Sequence, residues 1–80
     1  MANVETRLVG CFQAVFPDLP EAAIRLASQE KVEQWDSVAA ITLVNVIEEE
    51  FSTQIDYDRL PELDTFSKIL EYLTGDRGSN

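Results

Sequence analysis

The sequence predicts an all-α fold, a small four-helix bundle of three main helices and one short helix, with a long loop between helices 1 and 2. Apolar residues recur at helical spacing in three separate segments, which predicts amphipathic helices. Capping residues, prolines or a glycine mark the ends of these segments, as is typical of helix starts and stops. The length of 80 residues and the 45% hydrophobic content favour one domain over residues 1–80 with a single modest core.

The first helix is predicted between Val4 and Phe16. Its apolar stripe falls at helical spacing and consists of Val4, Leu8, Cys11, Phe12 and Val15. The helix is expected to stop at Pro17-Asp18-Leu19-Pro20. Each proline fixes its own backbone and moves the preceding residue out of the helical region, so the pattern cannot continue through this segment.

A long loop follows the first helix. Residues 21–26 favour one helical turn, which Pro20 can start, whereas residues 28–34 are polar and show no sustained period. We expect Trp35 to pack inward and to close this segment as an ordered loop.

The second main helix is predicted from about Ser37 to Phe51, with Asp36 as its N-cap. The Asp36 carboxylate can accept hydrogen bonds from the free backbone N–H groups of the first turn. One face of the helix is apolar and consists of Ala40, Leu43, Val44, Ile47 and Phe51. The other side carries Thr42, Asn45 and Glu49. Val38 falls on that polar side, so we expect an exposed apolar residue directly beside Ser37.

The remainder of the chain predicts a loop or one short helix over residues 52–63, followed by a last helix. Asp64 or Thr65 caps the last helix, and Gly75 ends it. Its apolar positions have i, i+3, i+4 and i+7 spacing and are Phe66, Ile69, Leu70 and Leu73. The polar tail, about residues 75–80, is expected to fray.

Charge and residue usage exclude several function classes. Fifteen acidic residues against six basic ones give a net charge of -9, which disfavours nucleic acids and anionic membranes and favours basic protein surfaces. No apolar run reaches membrane-spanning length. A single cysteine and the lack of a signal-like start predict a reducing, cytoplasmic location. The initiator Met1 and the short polar tail favour a freestanding protein over a piece excised from a larger protein.

Catalytic and metal sites are not predicted. The chain has no histidine, so Ser-His and Cys-His nucleophiles and imidazole metal ligands are missing. Asp56, Asp58 and Asp64 lack the glycine and the closing glutamate of a calcium loop. Since no pair of acids converges in a predicted pocket, we expect a chain that carries or binds groups rather than an enzyme.

Ser37 is the candidate modification site, although a serine beside an aspartate at a helix start is also ordinary capping chemistry. The wider pattern consists of Trp35-Asp36-Ser37-Val38, the helix end Glu48-Glu49-Glu50-Phe51, then Ile55, Thr65-Phe66, Ile69 and Leu73. Over more than half of the chain, this ordered set resembles the acyl carrier protein family. The first helix and the long loop suit that family in length and order.

The resemblance implies that Ser37 receives 4'-phosphopantetheine from coenzyme A in a reaction of a magnesium-dependent phosphopantetheinyl transferase. The thiol of the group would then carry acyl intermediates as thioesters between enzymes. Asp36 would be both the helix cap and part of the motif, and Val38 stands where the family usually has leucine. The alternative is an unmodified acidic interaction module with the same helical fold. Whether Ser37 is modified distinguishes the two.

Partner contacts are predicted on the exposed side of the second helix, at Val38, Thr42, Asn45, Glu48 and Glu49. The resemblance implies acyl-loading and acyl-processing enzymes with basic docking surfaces, acting on a monomer. Family members of primary fatty acid synthesis carry acids where this chain has Ala39, Thr42 and Asn45. We therefore favour a carrier for a specialised biosynthetic pathway over a generic fatty acid carrier, and the resemblance covers fatty acid, polyketide and other specialised relatives.

Overall fold

The computed structural model describes residues 3–75, and this part of the chain forms four α-helices and one 3₁₀ helix. The helices are α1 (Val4–Val15), α2 (Glu21–Ile24), α3 (Ser37–Phe51), the 3₁₀ helix (Tyr57–Glu62) and α4 (Phe66–Thr74). An isolated antiparallel bridge pairs Ser28 with Thr65, and no strand is present over residues 3–75. The all-α prediction is confirmed. Residues 76–80 of the tail that was predicted to fray lie outside the described residues.

The three main predicted helices are α1, α3 and α4. Both segments in which the sequence allowed a helical turn or a short helix contain one, as α2 and as the 3₁₀ helix. The bounds of α3 agree with the predicted bounds, and α1 ends one residue before Phe16. None of the helices in the described part combines the length and the apolar character that crossing a bilayer requires.

The ends of α4 follow the local chemistry of its sequence. Thr65 is the N-cap, since its Oγ1 accepts a hydrogen bond from the Lys68 N–H at 3.0 Å. Asp64, the other predicted cap, instead forms an ion pair with the Lys68 side chain at 3.2 Å. Gly75 ends the helix with a φ of 72°, in the left-handed region that glycine adopts without a steric penalty.

The core lies between α1, α3 and α4, and the largest side chains without exposure are Phe12, Phe66, Leu8, Ile24, Leu43 and Ile47. An aromatic cluster forms its centre. The Phe12 ring meets Phe66 edge-on at a centroid distance of 5.2 Å and Trp35 at 5.3 Å. Such edge-to-face pairs add to the burial of apolar area. Trp35 is 3% exposed, which confirms that it packs inward.

Phe51 packs against the core from the predicted apolar face of α3, but it is half-buried rather than buried. It is the last residue of α3, and the Arg7 guanidinium of α1 lies 4.5 Å from its ring centroid. Arg7 also pairs with the Glu50 carboxylate at 2.8 Å. A cation over an aromatic face therefore covers part of a ring that the helical wheel alone assigned to the core.

Candidate functional site

Ser37 is the first residue of α3, and its side chain is exposed. Capping is performed by the residue before it. The Asp36 Oδ1 accepts a hydrogen bond from the Ala39 N–H at 2.8 Å, and the Asp36 carbonyl oxygen accepts one from the Ala40 N–H at 2.8 Å. Because Asp36 supplies the cap, the helix start does not depend on the Ser37 hydroxyl.

The segment before Ser37 is anchored in the core. Trp35 lies two residues before Ser37, and its ring contacts Phe12 and Phe16, at 6.0 Å between centroids for Phe16. The Trp35 backbone N–H donates to the Val32 carbonyl oxygen at 2.9 Å. The indole Nε1–H is buried and has no acceptor within the described part of the chain. These contacts hold the approach to α3 against the core while Ser37 faces solvent.

An open groove runs beside Ser37, between α3 and the 3₁₀ helix. Its lining is mostly apolar and consists of Gln29, Ser37, Ala40, Ile41, Tyr57, Leu60, Pro61 and Leu63. Beneath it, Ala40, Leu60 and Leu63 also line an interior cavity of about 10 Å³. A space of that size holds one water at most, so the core under the groove is closely filled. The serine therefore stands at the edge of a shallow apolar groove.

The outer side of α3 carries three of the predicted partner residues together. Val38, Thr42 and Asn45 are all exposed, and the Thr42 hydroxyl donates to the Val38 carbonyl oxygen at 3.1 Å. The structure adds Ile41, which is 45% exposed, and Tyr57, which is 53% exposed. Helical periodicity could have indicated Ile41, since it lies three residues after Val38. No sequence signal places Tyr57 in the same groove as Ser37, because that placement depends on how the loop after α3 folds back.

The run Glu48-Glu49-Glu50 does not form one acidic patch. The half-buried Glu48 accepts a hydrogen bond from the Ile55 N–H at its Oε2, at 2.8 Å. Glu50 pairs with Arg7. Glu49 is exposed. Of the two acids predicted to meet partners, Glu49 faces solvent, whereas Glu48 is used to hold the loop that follows α3.

Reactive groups other than Ser37 are not assembled into a site. Burial, with a smaller contribution from the nearby Glu50 carboxylate, raises the pKa of the Cys11 thiol to about 11, against a smaller opposing effect of Arg7. A thiol with such a pKa is a poor nucleophile at neutral pH. Among residues 3–75, no group of three or more Cys, Asp or Glu side chains could hold a metal ion.

The site that results from these contacts is an exposed serine on an anchored helix start, bordered by an apolar groove. The exposed Asp36 lies directly before the serine and the exposed Val38 directly after it, and Ile41 and Tyr57 line the same groove as the serine. Comparisons with protein-family models, with curated proteins and with solved structures find no match. Function is therefore inferred from this geometry and from the sequence resemblance.

Proposed function

We propose that this protein is an acyl carrier protein, with 4'-phosphopantetheine attached covalently to Ser37. The carrying observation is that Ser37 is exposed at the first position of α3 while Asp36 supplies the helix cap. The Ser37 hydroxyl is not needed for the helix cap and lies on an ordered helix start, so another enzyme can reach it. The sequence around it, Trp35-Asp36-Ser37-Val38, resembles the attachment motif of acyl carrier proteins.

The geometry around Ser37 fits a phosphodiester. The Asp36 side chain and carbonyl oxygen accept hydrogen bonds from the N–H groups of Ala39 and Ala40. The N–H groups of Ser37 and Val38 then lie at the positive end of the helix dipole, where a phosphate can meet them. Phosphate groups are stabilised at such positions. When attached, the group supplies a thiol that holds acyl groups as thioesters.

In the attachment step, the Ser37 oxygen forms a bond to the phosphorus that carries pantetheine. The bond between that phosphorus and the bridging oxygen of the coenzyme A pyrophosphate breaks, and adenosine 3',5'-bisphosphate leaves. The hydroxyl proton passes to a base of the phosphopantetheinyl transferase, which also supplies magnesium and charge stabilisation. This chain contributes the nucleophile and holds it in place.

The chain itself catalyses no step of this chemistry. Enzymes that load and process acyl groups dock on it, and the tethered thioester reaches their active sites at a high effective concentration. The carrier acts as a cytoplasmic monomer in fatty acid, polyketide or another specialised biosynthesis. The uncharged outer side of α3, with Ala39, Thr42 and Asn45, supports a specialised pathway within that range.

The test is the intact mass of the protein after incubation with coenzyme A, magnesium and a broad-specificity phosphopantetheinyl transferase. We expect the parent to gain one phosphopantetheine and Ser37→Ala to gain none. Ser67→Ala is the matched control, because Ser67 is an exposed serine on another helix, α4, and this variant should be modified like the parent. An unmodified parent, under conditions that modify a known carrier, would favour the interaction module instead.

A further inference from the structure

Exposed apolar side chains concentrate around Ser37. Over residues 3–75, the large apolar side chains that stay exposed are Val38 at 74%, Leu26 at 72%, Tyr57 at 53% and Ile41 at 45%. All of these except Leu26 border Ser37. Val38 and Ile41 are neighbours on one helix face at i, i+3 spacing, and Ile41, Tyr57 and Ser37 line the same groove. We call Val38, Ile41 and Tyr57 the apolar rim.

The helix beneath the apolar rim is uncharged. No charged residue occurs from Ser37 to Ile47, although the chain has a net charge of -9. The first exposed acid beyond this stretch is Glu49, about 18 Å from Ser37 along the helix axis at the rise of an α-helix. Glu48 and Glu50 are engaged by the Ile55 N–H and by Arg7. The acids at the C-terminal end of α3 are therefore either distant from Ser37 or engaged within the chain.

Three acids do border the rim, and two of them have duties within the chain. Asp36 caps α3. The Asp56 Oδ1 accepts a hydrogen bond from the Asp58 N–H at 2.9 Å and so caps the 3₁₀ helix. Asp58 is exposed beside Tyr57. Together with Glu49, it is the acid through which a basic partner surface would act.

From this distribution we propose that enzymes acting at Ser37 dock on the apolar rim with an apolar surface of their own, and not with basic residues. The inference rests on the proposed carrier function and changes the partner chemistry that the family resemblance implies. A basic side chain placed over residues 37–47 would lose water and would find no acid on that stretch of α3 to pair with, which is costly. Apolar side chains placed there would instead remove the exposed rim from water, which is favourable.

The test measures kcat/KM for phosphopantetheine transfer to the full chain by a broad-specificity transferase, itself an enzyme that acts at Ser37. Val38→Asp, Ile41→Asp and Tyr57→Ser should each lower kcat/KM by about tenfold or more, as expected for central contacts of an interface. Glu49→Gln and Asp58→Asn should each change it by less than about twofold. Raising NaCl from about 50 mM to about 500 mM should also change it by less than about threefold, because few ion pairs are broken.

Leu26→Asp is the matched control, because Leu26 is as exposed as Val38 but lies outside the rim, and this variant should be modified at the parent rate. Circular dichroism should show unchanged helix content in every variant. Val38→Asp is the safest of these substitutions, since an acid in the first turn of a helix is favourable.

The outcomes separate the inference from the proposed function. Equal losses in Leu26→Asp and the rim variants, or larger losses in Glu49→Gln and Asp58→Asn than in the rim variants, would overturn the apolar docking surface while leaving Ser37 as the attachment site. A steep fall of kcat/KM with salt would overturn it as well. A parent that is not modified at all would overturn the carrier function, and the docking inference with it.

Discussion

The two ends of α3 use their polar side chains in different ways. At the N-terminal end, Asp36 closes the helix and Ser37 faces solvent next to apolar side chains. At the C-terminal end, Glu50 binds Arg7 of α1 and Glu48 holds the backbone of the following loop. The acid-rich end is thus largely committed to internal contacts, and the end with little charge is the open one. A run of acids in a sequence is therefore a weak guide to where partners bind.

The largest expected effect is a loss of stability at alkaline pH, caused by Cys11 of α1. It tests whether the Cys11 thiol is buried next to the C-terminal end of α3. In the folded protein the pKa of the Cys11 thiol is about 11, whereas in an unfolded chain the pKa of a cysteine thiol is about 8.5. The stability from the buried thiol is thus fully present below the lower value and is lost as pH rises toward the upper one. The free energy of unfolding should fall by about 3 kcal/mol over this window.

Urea unfolding at a series of alkaline pH values measures this loss. Cys11→Ala should remove this loss, so the difference between the curves of the parent and of Cys11→Ala isolates the thiol. Glu50→Gln should make the fall smaller, because the Glu50 carboxylate is one cause of the raised pKa. Parallel curves for the parent and Cys11→Ala would mean that the thiol is not buried against this end of α3.

A smaller effect is expected at Phe51, where α3 ends under Arg7. Because the ring is half-buried, Phe51→Ala should lower the free energy of unfolding by about 2 kcal/mol, below the range of about 3 to 5 kcal/mol for a fully buried phenyl group. Phe66→Ala is the matched control, since Phe66 is 2% exposed and should show the full loss. Equal losses in the two variants would place Phe51 in the core and remove the contrast between the ends of α3.

The smallest effects separate the two caps of α3. Asp36→Ala should lower the free energy of unfolding by about 1 kcal/mol through loss of the N-cap, and Asp36→Asn should retain it. Ser52 ends the helix with a φ of 51°, which is unfavourable for a side chain with a Cβ. Ser52→Gly should therefore raise stability by about 0.5 kcal/mol. Thermal and urea unfolding should show a lower stability for Asp36→Ala and a higher stability for Ser52→Gly. A change of the same sign in both variants would contradict this view of the caps.

The helices were predictable because their signals are local. Apolar spacing within α3 and the Asp36 cap depend on neighbours in sequence, and they placed the helix at Ser37–Phe51 as observed. Gly75 and Thr65 ended and capped α4 for the same reason. The exposure of Val38 also followed from the helical wheel. Two features of the end of α3 were not predicted. The hydrogen bond that Glu48 accepts depends on how the loop after α3 folds, and the partial exposure of Phe51 under Arg7 depends on a residue of another helix.

By itself, the sequence determined the all-α fold, the start of α3 with Asp36 as its cap and the exposed position of Val38 beside Ser37, because capping, helical period and proline breaks act within a few residues. Only the tertiary structure decided that Glu48 and Glu50 are used in contacts within the chain. It also brought Tyr57 beside Ile41 and Ser37. These features depend on contacts between segments that lie apart in the sequence, and the apolar pattern of a single helix does not encode such contacts.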